Sequence, residues 1–235
     1  MKTKRLLSLA MVVMFTMIAY AQKDVTTFLG IPVDGTKAEM KKKLIEKGFV
    51  AKITDGEEYL EGKFNGASVN IYISTNRNKV WRVVVEEPCT FDENQIKIRY
   101  NTLLRQFQNN SHYLPVGYSP IPEDERIGYE IKYNKKTYNT IFYQRPDYDK
   151  IMRDAPEPDE FQNKVIQELM KKYTLEQLQD PTEEMLQDYN HAKDVVMKSI
   201  FLNKCVWFRI LASLEGYYIV IFYDNKYNQP NGEDL

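Results

Sequence analysis

Two histidines, His112 and His191, are the side chains best suited to acid or base chemistry near neutral pH. His112 follows Ser111 in a predicted turn, and adjacency alone does not build a triad of nucleophile, base and orienting group. His191 lies on the flank of a predicted helix. The sequence contains no G-x-S-x-G, H-E-x-x-H, G-x-G-x-x-G or P-loop motif. Both histidines are therefore predicted to be surface residues, and no catalytic residue is assigned.

Acidic residues cluster between positions 147 and 160, and oxygen ligands at this density could hold a calcium ion. They are Asp147, Asp149, Asp154, Glu157, Asp159 and Glu160. The run lacks the mid-loop glycine and the closing glutamate of an EF-hand, so the prediction is solvated charge, with no metal and no cofactor. Carboxylate pairs also hydrolyse glycosides, although the sequence selects no such pair. An envelope hydrolase that uses Asp or Glu is kept as the alternative function.

The two cysteines, Cys89 and Cys205, leave two interpretations open. Both flank strands of a proposed repeat, and an exported protein can keep a disulfide between them. Two separate, buried, reduced cysteines are the other interpretation. No C-x-x-C pair or metal-type spacing is present.

Tyrosine is abundant, with 17 in the chain, and aromatic side chains are the candidate binding residues. These are Trp81, Trp207, Tyr129, Tyr133, Tyr138, Tyr217 and Tyr218. Tyrosine fits the half-buried face of a sheet, which favours simple packing. It also offers a large apolar area and a hydroxyl group at low entropic cost, which favours a binding face. Because strand residues alternate, Tyr218 and Phe222 are expected on the sheet face opposite to Tyr217 and Tyr223.

The first 21 residues read as a secretory signal peptide. Basic residues precede an apolar run of about 14 residues, too short to span a bilayer as a helix, and Ala19-Tyr20-Ala21 is a small-x-small cleavage site. Cleavage there removes three basic residues and changes the formal net charge from −1 to −4, which predicts no nucleic-acid partner. The sequence therefore predicts a periplasmic or secreted protein with no membrane span once the signal peptide is removed.

Residues 22–89 are predicted to form a first α/β unit. Thr36 and Glu39 make a capping box, after which apolar residues recur at helical spacing until Gly48. Four strands are predicted next: Val50 to Thr54, Tyr59 to Phe64, Val69 to Ser74 and Val80 to Val85. Asp55-Gly56 and Asn65-Gly66 are typical of tight type I′ hairpin turns.

Residues 90–235 are predicted to form a second unit of the same kind. Thr90 and Glu93 suggest another capping box, for a helix that ends near Asn109-Asn110. A strand is expected to begin at Ile127. The unit closes with strands Val206 to Ala212 and Tyr217 to Tyr223.

A weak internal echo supports the idea of two related units. Residues 63–70 align with residues 132–139, and the segment around Trp81 resembles the segment around Trp207. In this alignment the first unit's loop at Thr75-Asn76 is replaced in the second by a long insert, Arg145 to Leu202. The insert is predicted to form at least two helices, packed by Phe161, Val165, Leu169, Met185, Tyr189 and Val196. As an added structured segment, it is also a candidate for partner contacts.

Two capped helix-plus-meander units behind a signal peptide resemble the tandem α/β repeat of β-lactamase-inhibitory-protein-like folds and similar secreted envelope proteins. The resemblance covers Thr27 to Asn110 and lies in Phe28-Leu29-Gly30-Ile31-Pro32, Gly35-Thr36, Leu44 and Lys47-Gly48-Phe49. It implies a small sheet with helices on one face and a partner on the other. The helical insert departs from that pattern, and no functional residue is carried over.

Together these observations predict an α+β protein of two related units, with a helical insert in the second. The expected function is a non-catalytic binding or assembly module of the cell envelope. It would recognise a protein or another envelope component through a Tyr-rich sheet face or through the insert.

Overall fold

The computed structural model describes residues 24–116, 119–145, 160–174, 177–179 and 182–230, and the α+β class is confirmed. Eight strands form one antiparallel sheet, and helices pack against it. The predicted signal peptide and the acidic residues at positions 147–159 lie outside the described residues.

Residues 24–86, the described part of the first half, contain one helix and six strands. The short strands β1 (Thr27–Phe28) and β2 (Ile31–Pro32) pair with each other and lead into helix α1 (Lys37–Glu46). A four-stranded meander follows: β3 (Val50–Thr54), β4 (Glu57–Phe64), β5 (Ala67–Asn76) and β6 (Lys79–Glu86). The predicted strands of this unit are confirmed.

The second half repeats the order of one helix followed by four strands, with additional helices between the strands. It comprises α2 (Glu93–Asn109), β7 (Tyr113–Val116), α3 (Ile127–Tyr133), β8 (Asn139–Gln144), α4 (Glu160–Leu169), α5 (Glu183–Leu202), β9 (Lys204–Ala212) and β10 (Tyr217–Asn225). Short 3₁₀ helices lie at Gln177–Gln179 and Lys226–Asn228.

The two meanders join at their last strands. The sheet order is β3-β4-β5-β6-β10-β9-β8-β7, so β6 and β10 are the central pair and β3 and β7 are the edges. Val84 of β6 pairs in register with Phe222 of β10, and Phe222 pairs in turn with Trp207 of β9. The order within the second meander is the mirror of the first about this central pair.

The helix starts and hairpin turns follow from local sequence. The capping box of Thr36 and Glu39 is confirmed, whereas the second helix is capped by Asp92 with Gln95 and not by Thr90 with Glu93. Asp92 is the N-cap residue in place of Thr90, and its carboxylate accepts hydrogen bonds from two backbone amides of the first turn, at 2.8 and 2.9 Å. Asp55 and Asn65 take the positive φ angles that type I′ turns require.

The hydrophobic core lies on one face of the sheet and is shared by both halves. Apolar residues of α1 and α2 pack on alternate residues of the central strands, such as Ile71, Val85 and Phe208. Phe208 stacks with Phe107 of α2 at 5.6 Å between ring centroids. Since core residues of the two units form one cluster, each half stabilises the other.

The chain ahead of α1 is held by polar groups of the second half. The side-chain amide of Gln144 accepts from the Thr27 amide and donates to the Thr27 carbonyl, both at 2.7 Å, as a neighbouring strand would. The buried Asn225 donates to the Val33 carbonyl at 2.8 Å. These bonds fix the entry segment across the two halves.

The predicted strand at Ile127 is wrong, because Ile127–Tyr133 is a helix. Ile127 is buried and packs in the core, while Tyr129 and Tyr133 face outward at helical spacing. The alignment of residues 63–70 with 132–139 therefore does not match hairpin to hairpin. The aligned tryptophans also differ in position, since Trp81 lies on the fourth strand of its meander and Trp207 on the third.

The predicted insert is helical where it is described, and it lies at a different place in the meander. It separates β8 from β9, which pair directly, so the sheet continues across its base. By strand order this position corresponds to the Asn65-Gly66 turn and not to Thr75-Asn76. Val165, Leu169, Ala192 and Val196 form a small cluster separate from the main core, with Tyr189 packed against it. Met185 is buried as well, and the side chain of Phe161 lies outside the described residues.

Cys89 and Cys205 are both free, so the disulfide interpretation is not realised. The other interpretation, two buried reduced cysteines, holds for Cys205 but is wrong for Cys89, which is exposed. Cys205 pairs with Asp224 near one end of β10, whereas Cys89 follows Glu87, whose amide bonds to Ile219 near the other end. Five residues of a strand span about 17 Å, well beyond the Cα separation of about 7 Å that a disulfide allows.

No helix among the described residues is long and apolar enough to cross a bilayer.

Candidate functional site

The sheet face opposite to α1 and α2 carries the candidate site, which we call the open face. Because strand residues alternate, it is built from rows of side chains that cross the central strands. One row is Val84, Phe222 and Trp207, and the next is Arg82, Asp224 and Cys205. A third row contains Glu86, Val220 and Arg209. Most of these side chains are only half-buried.

An aromatic stack lies at the centre of the open face. The rings of Trp207 and Phe222 are parallel within 13° and their centroids lie 3.9 Å apart. The guanidinium of Arg82 lies 4.9 Å from the Phe222 centroid and 5.5 Å from that of Trp207. A cation over aromatic faces is an attractive arrangement, and it is stronger where water is partly excluded.

The fully buried Asp224 holds this stack in place. Its carboxylate accepts from Arg82 through two parallel bonds, Nε to Oδ1 at 2.6 Å and Nη2 to Oδ2 at 2.8 Å. It also accepts from Nε1 of Trp207 at 3.0 Å, and Lys226 lies 3.5 Å away. One carboxylate thus orients both the cation and the indole.

Trp81 extends the cluster because β6 is irregular there. The pairing between β5 and β6 shifts after Ser74, which leaves Trp81 between the paired residues Val80 and Arg82. Its ring lies 4.2 Å from the Arg82 guanidinium. Bulges commonly redirect side chains in this way near functional sites.

Of the seven predicted binding residues, Trp81, Trp207 and Tyr218 belong to the open face. The expected alternation of β10 is confirmed, since Tyr218 pairs with Leu211 and Phe222 with Trp207, while Tyr223 is buried in the core. The structure therefore brings three of the predicted residues to one surface.

The other four lie on the helix side of the sheet. Tyr129 and Tyr133 form an exposed pair on α3, with ring centroids 4.9 Å apart. Tyr138 is buried, and burial together with its bond to the Glu125 carboxylate raises its pKa. Tyr217 packs against the edge of the core. Tyr138 and Tyr217 are thus packing residues.

Two charged residues of the open face have no charged partner among the described residues. Glu86 is half-buried, and burial raises the pKa of its carboxyl group. Arg209 has a buried Nε without a hydrogen-bond acceptor, the only such buried side-chain nitrogen or oxygen in the described chain. Both residues flank Val220 in register.

Among the cavities lined by described residues, three of about 500 to 730 Å³ lie on the helix side or at its rim. The smallest, of about 500 Å³, is lined by Phe64, Phe107 and Tyr113. Only one carboxylate, that of Glu123, lines any of the three. They therefore bring no pair of carboxylates together for acid–base chemistry.

No group of three or more His, Cys, Asp or Glu residues suited to a metal ion occurs within the described part of the chain. His112 and His191 are both exposed, as the sequence predicted.

Sequence reasoning missed Arg82, Asp224, Phe222, Glu86 and Arg209 as site residues. The useful signal was the alternation within β10, which places Asp224 on the same face as Phe222 and Tyr218. A carboxylate in an otherwise apolar strand usually has a cationic partner, but the partner strand was not predictable from local pattern.

Comparison of the chain with protein-family profiles, with curated proteins and with solved structures finds no match.

Proposed function

We propose that this protein is an exported, non-catalytic binding module of the cell envelope that recognises a protein partner through its open face. The observation that carries the proposal is the stack of Arg82, Trp207 and Phe222 on the face opposite to the helices. Trp and Arg are the residues that most often dominate binding energy at protein interfaces.

The stack is preorganised for binding. Asp224 fixes the Arg82 guanidinium at two points and the Trp207 indole at a third, so these side chains lose little freedom when a partner arrives. Preorganised side chains reduce the entropic cost of association. A partner on the face opposite to the helices is also what the resemblance to β-lactamase-inhibitory-protein-like folds leads us to expect.

The proposal that the protein is exported rests on the basic residues at the start of the chain, the apolar run that follows them and the Ala19-Tyr20-Ala21 cleavage site. It places the module in the periplasm or outside the cell. The envelope hydrolase stays the alternative function, and the three cavities described above give it no support.

Between the two candidate surfaces, the sheet face is favoured over the insert. Of the insert's described aromatic residues, Tyr173 and Tyr189 pack against its own small cluster and Phe201 is half-buried, so none of them forms an outward-facing group. The open face instead presents its aromatic rings beside a fixed cation.

Site-specific photo-cross-linking in the native host tests the proposal. A benzophenone amino acid at Val84 or Leu211, both on the open face, is expected to give a discrete cross-linked protein band. The same group at Tyr133, exposed on the helix side, is the control and is expected to give none. Loss of the band on Trp207→Ala with Phe222→Ala would assign it to the stack. Equal cross-linking from both sides would contradict the proposal.

A further inference from the structure

The row of Glu86, Val220 and Arg209 places opposite charges on either side of an apolar residue. Val220 pairs with Glu86 of β6 on one side and with Arg209 of β9 on the other. Adjacent strands are just under 5 Å apart, so the two charged residues stand about 10 Å apart across the sheet. The row is next to the Trp207–Phe222 stack, and Leu211 lies on the same face two residues along β9.

Arg209 differs from other arginines of the described chain in how its Nε is used. Nε of Arg82 donates to Asp224 at 2.6 Å, and Nε of Arg99 donates to Glu87 at 2.9 Å. Nε of Arg145 donates to the Ser111 carbonyl at 2.8 Å. Nε of Arg209 is shielded from water and has no acceptor, although a guanidinium matches a carboxylate with paired donors.

Glu86 is the complementary case. It forms no ion pair or hydrogen bond with a described residue, and it is partly removed from water beside Tyr72. A carboxylate in such a place gains from an incoming cation more than an exposed one does, because screening by water is weaker. The two residues therefore present one anion and one cation, with the buried Val220 between them in the row.

We infer that the open face binds a protein segment that carries a carboxylate for Arg209 and a cationic side chain for Glu86, on either side of an apolar residue that lies over the row between them. This inference rests on the proposed function and specifies the partner's chemistry at that site. Charge complementarity of this kind fixes the register and orientation of a bound segment. It also places a counter-charge beside the Arg209 guanidinium, whose buried Nε has no acceptor among the described residues.

The test is a titration of the full chain followed by NMR of the arginine Nε–H groups. The probe is the blocked peptide acetyl-Ser-Glu-Val-Lys-Ser-amide, and the control is the neutral acetyl-Ser-Gln-Val-Gln-Ser-amide. The charged peptide is expected to move the Arg209 signal saturably, with a dissociation constant of about 1 mM or below. The Arg82 and Arg99 signals, whose donors are occupied, serve as internal controls and are expected to stay in place.

Variants separate the two charges. Because variants at Arg209 lack its Nε–H signal, their affinities are measured from the backbone amide signals of Val220 and Leu211. Arg209→Gln is expected to weaken binding of the charged peptide by about tenfold or more, as the loss of one charge-assisted bond predicts. Arg209→Lys keeps the charge and is expected to retain part of the affinity. Glu86→Gln is expected to weaken the charged peptide but not acetyl-Ser-Glu-Val-Gln-Ser-amide, which lacks the cation.

Two results would overturn the inference. One is the absence of an Arg209-specific shift, or an equal shift with the neutral peptide. The other is a shift of the Arg209 signal in peptide-free Glu86→Gln protein as large as saturating peptide causes, which would show that Glu86 and Arg209 pair with each other. Cross-linking from Val84 or Leu211 decides the proposed function separately, so either idea can fail alone.

Discussion

Asp224 holds Arg82 by a bidentate ion pair that crosses from the last strand of one meander to the last strand of the other. The Asp224 side chain is fully buried and the Arg82 side chain is about one-fifth exposed. This ion pair links β6 to β10, where the two halves of the sheet meet, and it positions the aromatic stack on the open face. Stability and the proposed binding surface therefore depend on the same carboxylate.

The first prediction concerns that carboxylate. Asp224→Asn keeps the shape but leaves the Arg82 charge without its counter-ion, and removing one partner of such a pair costs about 3–5 kcal/mol when it is buried. Urea denaturation measures the change in the free energy of unfolding. The matched control is Glu61→Gln, which removes an exposed pair with Lys52 and is expected to cost less than about 1 kcal/mol. Similar losses in the free energy of unfolding for the two variants would show that the Asp224–Arg82 ion pair contributes little to stability.

The second prediction separates packing from binding at two neighbouring residues of β9. Phe208 faces the core and Trp207 the open face. Phe208→Ala is expected to destabilise the fold by about 3–5 kcal/mol, as deletion of a buried ring does. Trp207→Ala is expected to cost about 1–2 kcal/mol, since the ring stays partly in water, while abolishing the open-face cross-link. An intact cross-link in the Trp207→Ala variant would show that the partner does not bind through the aromatic stack.

Local rules predicted the first half of the fold well. The capping box of Thr36 and the turns at Asp55-Gly56 and Asn65-Gly66 are encoded within four residues, so no tertiary information is needed to find them. The helix at Ile127–Tyr133 was misread because a short segment rich in Ile and Tyr has a similar propensity for strand. Its state is decided by packing Ile127 into the core, which local pattern does not reveal.

The candidate site was predictable only in part, for the same reason. Alternation in β10 correctly put Tyr218 and Phe222 on one face. The pairing of β6 with β10, which brings Arg82 to Asp224, joins residues more than 140 positions apart. No turn or spacing rule connects strands at that separation, so the central cluster emerged only from the folded chain.

The third prediction uses the two free cysteines. Cys89 is exposed, whereas burial, with a smaller effect of the Asp224 charge, raises the pKa of the Cys205 thiol to about 11. At pH 8 the native protein is therefore expected to react rapidly with a thiol reagent at one site, because the thiolate is the reactive form. Quantitative labelling followed by mass spectrometry checks this. Cys89→Ser should remove the rapid phase, and two slow or two rapid thiols would contradict the prediction.

The fourth prediction concerns pH and Glu86. Burial raises the pKa of this carboxyl group above its ordinary value of 4.5, so its charged form is less favourable in the folded protein than in the unfolded chain. Its contribution to stability is complete below the ordinary pKa and is lost as the pH rises through the folded-state pKa. Glu86→Gln is thus expected to raise the urea midpoint at pH 7 and to have little effect near pH 4. A lower midpoint at pH 7 would show that the carboxylate has a stabilising partner.

The last prediction concerns the helical insert and the base from which it emerges. Arg145 belongs to the body of the fold, since its amide donates to the His112 carbonyl at 2.8 Å and its carbonyl accepts from the buried Lys204 at 3.1 Å. Lys204 also pairs with Asp24 at 2.7 Å. A variant that removes the insert should therefore keep Arg145. It replaces only residues 146–202 with a short Gly-containing turn.

This variant is expected to melt cooperatively and to keep the open-face cross-link. The insert has its own apolar cluster, and β8 pairs with β9 without it, so the sheet loses no strand. Shortening a loop changes closure entropy only logarithmically, which makes the excision inexpensive. Circular dichroism on heating measures the melting, and the benzophenone at Val84 reports on binding. If the variant is folded but has lost the cross-link, the partner binds through the insert and not through the sheet face. Global unfolding of the variant would show that α4 and α5 are part of the structural core.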